Sequence, residues 1–181
     1  QFATMRAGSP LVTLRWVKGR QEERPLVERW NSFSRITIWG DPTLETPAFG
    51  FGFPQEARPT QTARQLRLEI DASADTYLTG FAGDPSSVDY LREDVTYAAH
   101  VLRPESRVLV IGSGGGRDLL AALAFEQPAV QGVEVNADIV DLVHDELGDF
   151  TGHLDSRPGV AVVADEARSF VARQTQPYDI I

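Results

Sequence analysis

The chain has 181 residues, room for one full domain or for a smaller domain with part of a second, and its 42% hydrophobic and 24% charged content is ordinary for a soluble globular protein. No apolar run approaches the ~20 residues that span a bilayer, and the absence of cysteine excludes disulfides and thiolate metal sites. The net charge of −9 is uneven, with 8 basic and 6 acidic groups in residues 1–60 against 9 and 20 in residues 61–181, a balance that disfavours nucleic acid and suits a cationic ligand or simply a solvated acidic surface.

Residues 11–17 read as a strand, and the polar stretch 18–25 as a hairpin loop. The end of 30–40 alternates, Phe33, Arg35 and Thr37 against Ser34, Ile36 and Ile38, as a half-buried strand does. Proline and glycine mark 40–59 as irregular chain, and 65–70 alternates again with Leu66, Leu68 and Ile70 on one face. Residues 1–80 therefore form a small antiparallel β region, with Trp16, Trp30, Phe33 and Trp39 as its expected core. Residues 81–106 are a connecting loop and helix. The apolar positions 88, 91, 95, 98, 99 and 102 make an amphipathic stripe that Pro104 follows.

From residue 107 onward the pattern alternates β and α. Val108 to Ile111 is too short for a helix and suits a strand buried on both faces. Glycines follow at 112, 114, 115 and 116, then a leucine- and alanine-rich helix over 117–126. Strand 130–135 leads into a helix with Asn136 as N-cap and Ile139, Val143 and Leu147 on one face. Strand 160–164 precedes helix 167–174, and Tyr178 opens a fourth strand. Such alternation predicts a parallel sheet with crossover helices. The start at Gln1 without a signal peptide and the stop inside the fourth strand read as an excised or truncated segment, so that 107–181 is the incomplete first half of a nucleoside-binding domain.

A strand, a glycine turn and a helix open a nucleotide-binding unit, because glycine lets the backbone approach a ligand and the first helical amides are unsatisfied donors. A dinucleotide fingerprint would need glycine at 117, where Arg117 stands. Gly112, Gly114 and Gly116 instead give the G-x-G-x-G spacing associated with S-adenosylmethionine-type ligands. Glu134, twenty residues after Gly114 at a strand end, can accept hydrogen bonds from a ribose diol, or be a surface acid. Val135 follows it. Asp165 and Glu166 end the third strand, where an acid can take the adenine amino group and the amide of Ala167 a ring nitrogen; the alternative is a helix N-cap, for which Asp165 is well suited. Asp118 in the first helical turn either complements the helix dipole or binds an ammonium group. His100, His144 and His153 show no metal-ligand spacing, so no metal is expected.

These residues resemble the spermidine synthases and their relatives over residues 28–181. The likeness rests on Trp30-Asn31-Ser32-Phe33-Ser34-Arg35, on the strand and glycine turn 108–116, on Val133-Glu134-Val135-Asn136, and on residues 165–170 ahead of Tyr178. It implies an α/β fold: a Rossmann-like parallel sheet with crossover helices, truncated here after the fourth strand and preceded by the small antiparallel β region. It also implies an aminopropyltransferase using decarboxylated S-adenosylmethionine, or S-adenosylmethionine itself, as donor to an amine acceptor, with no metal. Glu134 would hold the ribose and the Asp165/Glu166 region adenine, Glu166 in the better register.

Departures stand beside the likeness. The synthases have an aspartate in the turn where this chain has Gly115, and of Asp-Glu-x-x-Tyr-His-Glu only Tyr90 survives. The catalytic base is expected beyond Ile181, leaving the catalytic residues unknown. The alternatives are a methyltransferase or a non-catalytic nucleoside-binding or assembly module. A cytoplasmic location is expected, or the cytoplasmic face of a membrane, since some relatives are fused to membrane segments. A homo-oligomer is compatible with this reading.

Overall fold

A computed structural model describes residues 14–53 and 61–181. Part of the first expected strand (11–13) and part of the irregular stretch (54–59) lie outside the described residues.

Strands β1 (Trp16–Val17) and β2 (Arg20–Gln21) form a hairpin around Lys18 and Gly19, both at positive φ (48° and 78°), as a type I′ turn requires, so the turn is tighter than the expected loop over 18–25. Next come β3 (Val27–Trp30), β4 (Arg35–Trp39), β5 (Glu45–Pro47), β6 (Thr62–Ile70) and β7 (Ala74–Thr79). They build one antiparallel sheet in which β6 pairs with β4, β5 and β7. Residues 45–47, expected to be irregular, are thus a short strand recruited by β6 despite Pro47.

The connecting segment is not one amphipathic helix. It is 3-10 turns over Pro85–Glu93 and Val95–Tyr97, then a short helix α1 (Ala98–Leu102). Asp94 breaks it: its backbone is extended (φ −83°, ψ 115°) and its carboxylate accepts from the amide and hydroxyl of Thr96, starting a new turn. The expected stripe holds only in its first turn, with Val88 and Leu91 buried; beyond the break Val95 and Leu102 are exposed and Tyr97 and His100 are buried in their place.

The second half follows the expected alternation. Strands β8 (Arg107–Ile111), β9 (Ala129–Glu134) and β10 (Val160–Ala164) form a parallel sheet in the order β10-β9-β8. Ile180 bridges in parallel to Val108 on the free edge of β8. Between strands run α2 (Arg117–Ala124) and α3 (Ala137–Asp141), the latter prolonged as a π turn through Glu146 and followed by α4 (Gly148–Thr151); α5 (Ala167–Ala172) follows β10. Asn136 is the N-cap of α3 by backbone, but its side chain makes no cap bond there.

The antiparallel sheet and α3 share a core. Ile36, Ile38, Leu66, Leu68 and Leu78 pack with Ile139, Leu142 and Val143, so the antiparallel sheet is docked on the helix that follows β9. Each such side chain contributes roughly 1.5–3 kcal/mol of apolar burial. Aromatics do not make this core: Trp16 and Phe33 are 69% and 62% exposed, because Phe33 precedes β4 and the inward positions of the sheet are aliphatic. Nor is β4 half-buried. Arg35 is covered too, its guanidinium paired with Glu28 and Glu22 at 2.8 Å each.

Candidate active site

Where β8 ends, the chain turns through Gly112 to Gly116 into α2. Gly112 has φ +74°, and a Cβ placed there would meet nothing within 4 Å, so this position opens onto free space. Gly115 is the opposite case: a Cβ would lie 2.8 Å from the carbonyl oxygen of Tyr77 in β7. The turn is therefore clamped against the antiparallel sheet. Any side chain at position 115 would collide with the β7 backbone.

Glu134 closes the turn from the side. Its carboxylate is 7% exposed and accepts from the amides of Gly114 (3.0 Å) and Asn136 (2.9 Å). One oxygen binds each amide, so lone pairs remain on both. Asn136 in turn donates to the Ser34 hydroxyl (3.0 Å) and accepts from the Asn31 amide (2.8 Å). The motif 30–35 thus holds the end of β9 from across the molecule, a role that no local signal in the sequence announces.

Arg117 is 2% exposed. Its guanidinium donates to Asp94 (2.8 Å) and to the Phe49 carbonyl, and lies 5.7–5.9 Å from the rings of Phe49, Phe51 and Tyr97. Burial alone would raise the Asp94 carboxyl, but the Thr96 hydrogen bonds and the Arg117 charge outweigh it and hold the group below the usual carboxylate range. Asp118 accepts from the Tyr97 hydroxyl at 2.8 Å. Burial, reinforced by the Asp118 charge, pushes the Tyr97 hydroxyl far above its ordinary value and keeps it a donor.

These groups line a cavity of about 700 Å³ at the ends of the parallel strands, well within the size range of small-molecule sites. Gly112, Gly114, Asp118 and Glu134 are in its wall, together with Phe51, Asp75, Thr76 and Tyr97, which sequence reasoning did not select. Gly116 stands behind the turn at the start of α2. Val135, Asp165, Glu166 and Ala167 are at the ends of β9 and β10, outside this wall. Asp165 is ion-paired with Arg173, and it is Glu166, not Asp165, that caps α5. Hydrogen bonds from the amides of Ser169 and Arg168 and the Ser169 hydroxyl hold the Glu166 carboxyl down at about 2. Among the described residues no group of His, Asp and Glu is arranged to hold a metal ion.

The architecture has a match among solved structures. A spermidine synthase in complex with the transition state analogue AdoDATO aligns with 87% of this chain at a TM-score of 0.53 and 17% identity. The fold is spermidine synthase-like. The chain spans 46% of that protein's length. The spermidine synthase from Thermotoga maritima aligns over 87% of this chain and 45% of its own, with 17% identity and a TM-score of 0.49. No family model and no curated protein matches the sequence. Within the spermidine synthase-like fold, the end of β8, the glycine turn and Glu134 meet at a cavity whose wall also takes Ala74, Asp75 and Thr76 from the antiparallel sheet.

Proposed function

We propose that this cavity binds an adenosyl sulfonium, S-adenosylmethionine or its decarboxylated form, and that the protein transfers a group from it to an amine. The observation that carries this reading is the buried Glu134 carboxylate, fixed by the Gly114 and Asn136 amides at the rim of the cavity with lone pairs left over. A ribose diol would supply the donors those lone pairs lack. The open space at Gly112 accommodates the nucleoside beside the turn. Adenine would lie towards Val135 and the Asp165–Ala167 strand end, with Glu166 occupied as a cap and the Ala167 amide as donor.

In the reaction, the amine nitrogen attacks a carbon bonded to the sulfonium. The C–S bonding pair passes to sulfur, which becomes a neutral thioether, and the alkylated nitrogen gives up a proton to water. The chain's own contribution is to position the donor and exclude water from it. Attack at the aminopropyl carbon gives the aminopropyltransferase and attack at the methyl carbon gives a methyltransferase. The packing of Gly115 on Tyr77 favours keeping the second outcome in view, because the turn has no room for the acid that synthases place there. The remaining partners in this reading are a small-molecule amine, no nucleic acid, and a cytoplasmic setting.

Calorimetry on the chain separates the ligand classes. S-adenosylmethionine, its decarboxylated form and methylthioadenosine are expected to bind in the micromolar range and NAD to give no heat. Micromolar NAD binding with none of the adenosyl-sulfur compounds overturns the proposal.

A further inference from the structure

Phe51 is 61% exposed, yet it is not a loose loop side chain. Its ring stands edge-on to Phe49 at 4.9 Å, Phe49 stacks on Tyr77 at 4.3 Å, and the Phe49 carbonyl is held by Arg117. A ring fixed in this way and still facing the cavity is a presented surface.

The charges around it are negative in sum. Asp75, Asp118 and Glu134 line the cavity, and the guanidinium among them, Arg117, is matched by the fully buried Asp94 behind it. His100, also in the wall, is held below its ordinary pKa by desolvation, which favours its uncharged form. The wall is thus acidic and carries an aromatic face. A sulfonium has a permanent charge and no N–H to donate, so fields and π faces are the means by which a protein can recognise it.

We infer that the cavity reads the charge on sulfur: Phe51 and the acidic wall hold the sulfonium donor more tightly than the neutral thioether formed from it. The inference rests on the adenosyl-sulfonium reading and names a specificity determinant within it. Its consequence for turnover is direct. Transfer of the group removes the charge the site recognises, so donor capture and product release are driven by the same wall.

The test compares S-adenosylmethionine with S-adenosylhomocysteine, which share nucleoside and amino acid and differ in the methyl group and its charge. By calorimetry the chain should prefer the sulfonium about tenfold, and the preference should shrink as salt is added. Phe51→Leu should cut the preference by about threefold or more, within the range a cation–π contact supports, by weakening the sulfonium more than the thioether. Phe51→Trp should retain it, and Asp75→Asn should reduce it. Equal affinity of the wild type for both compounds, or an equal loss of both on Phe51→Leu, overturns the inference and leaves the nucleoside site standing. Failure of both compounds to bind the wild type removes the adenosyl-sulfonium reading itself.

Discussion

Glu134 and Arg117 carry the arrangement at the scale of single residues. Glu134 binds two amides that belong to different elements, one in the glycine turn and one at the start of α3. In Glu134→Gln one of those amides faces an NH₂ group and loses its acceptor in a place 7% exposed. Folding stability should fall by about 1–3 kcal/mol, read as a lower urea midpoint at unchanged slope, and nucleoside affinity should fall with it. An unchanged midpoint would mean the carboxylate does not hold the turn. Arg117 occupies the position where a dinucleotide site has glycine, and it turns inward rather than to solvent. With Asp94 and the Phe49 carbonyl as partners it is a buried ion pair that ties the aromatic loop to α2. Breaking such a pair leaves an uncompensated charge and is destabilising, so Arg117 acts on the fold before it acts on any donor.

Among the elements, the contact that matters is β7 against the glycine turn. Two glycines three residues apart should respond for different reasons. Gly115→Ala drives a methyl group against the Tyr77 carbonyl at 2.8 Å and must push β7 away, a loss of about 1–3 kcal/mol by overpacking. Gly112→Ala meets no atom within 4 Å, and its cost is the left-handed backbone alone, about 1–2 kcal/mol. Chemical shifts in β7 (Ala74–Thr79) should move in the first variant and stay in the second. Shifts in β7 unaffected by Gly115→Ala would show that the turn and the sheet are not clamped. The connecting segment teaches the same lesson about elements. Its apolar spacing fits a helix, but Asp94 offers the backbone a competing set of hydrogen bonds and the helix is cut into 3-10 turns.

Two apolar clusters hold the molecule, one around the parallel sheet and α2 and one in which Leu142 is fully buried between the antiparallel sheet and α3. Every tryptophan (16, 30 and 39) lies in the β region, so fluorescence reports on that half and far-ultraviolet dichroism chiefly on the helices of the other. The two probes should unfold together. Leu142→Ala should lower both midpoints by the same amount, about 2–5 kcal/mol. Separated transitions in the wild type would show two independently stable halves. Among the described residues no helix is long and apolar enough to cross a membrane.

Sequence alone determined the features that depend on neighbours along the chain. The strand over Arg107–Ile111, the glycine turn and the parallel alternation all follow from residue period, chain length between breakers and the freedom of glycine. Those rules are local and survive in one sequence. What the tertiary structure decided depends on partners that are remote in the chain: Asn31 and Ser34 meeting Asn136, Asp94 meeting Arg117, Phe51 and Asp75 joining the glycine turn in one cavity. The aromatics of the β region were misplaced for the same reason. Hydrophobicity and charge say that a side chain seeks apolar cover or an opposite charge; which group provides it is set only when the sheets dock.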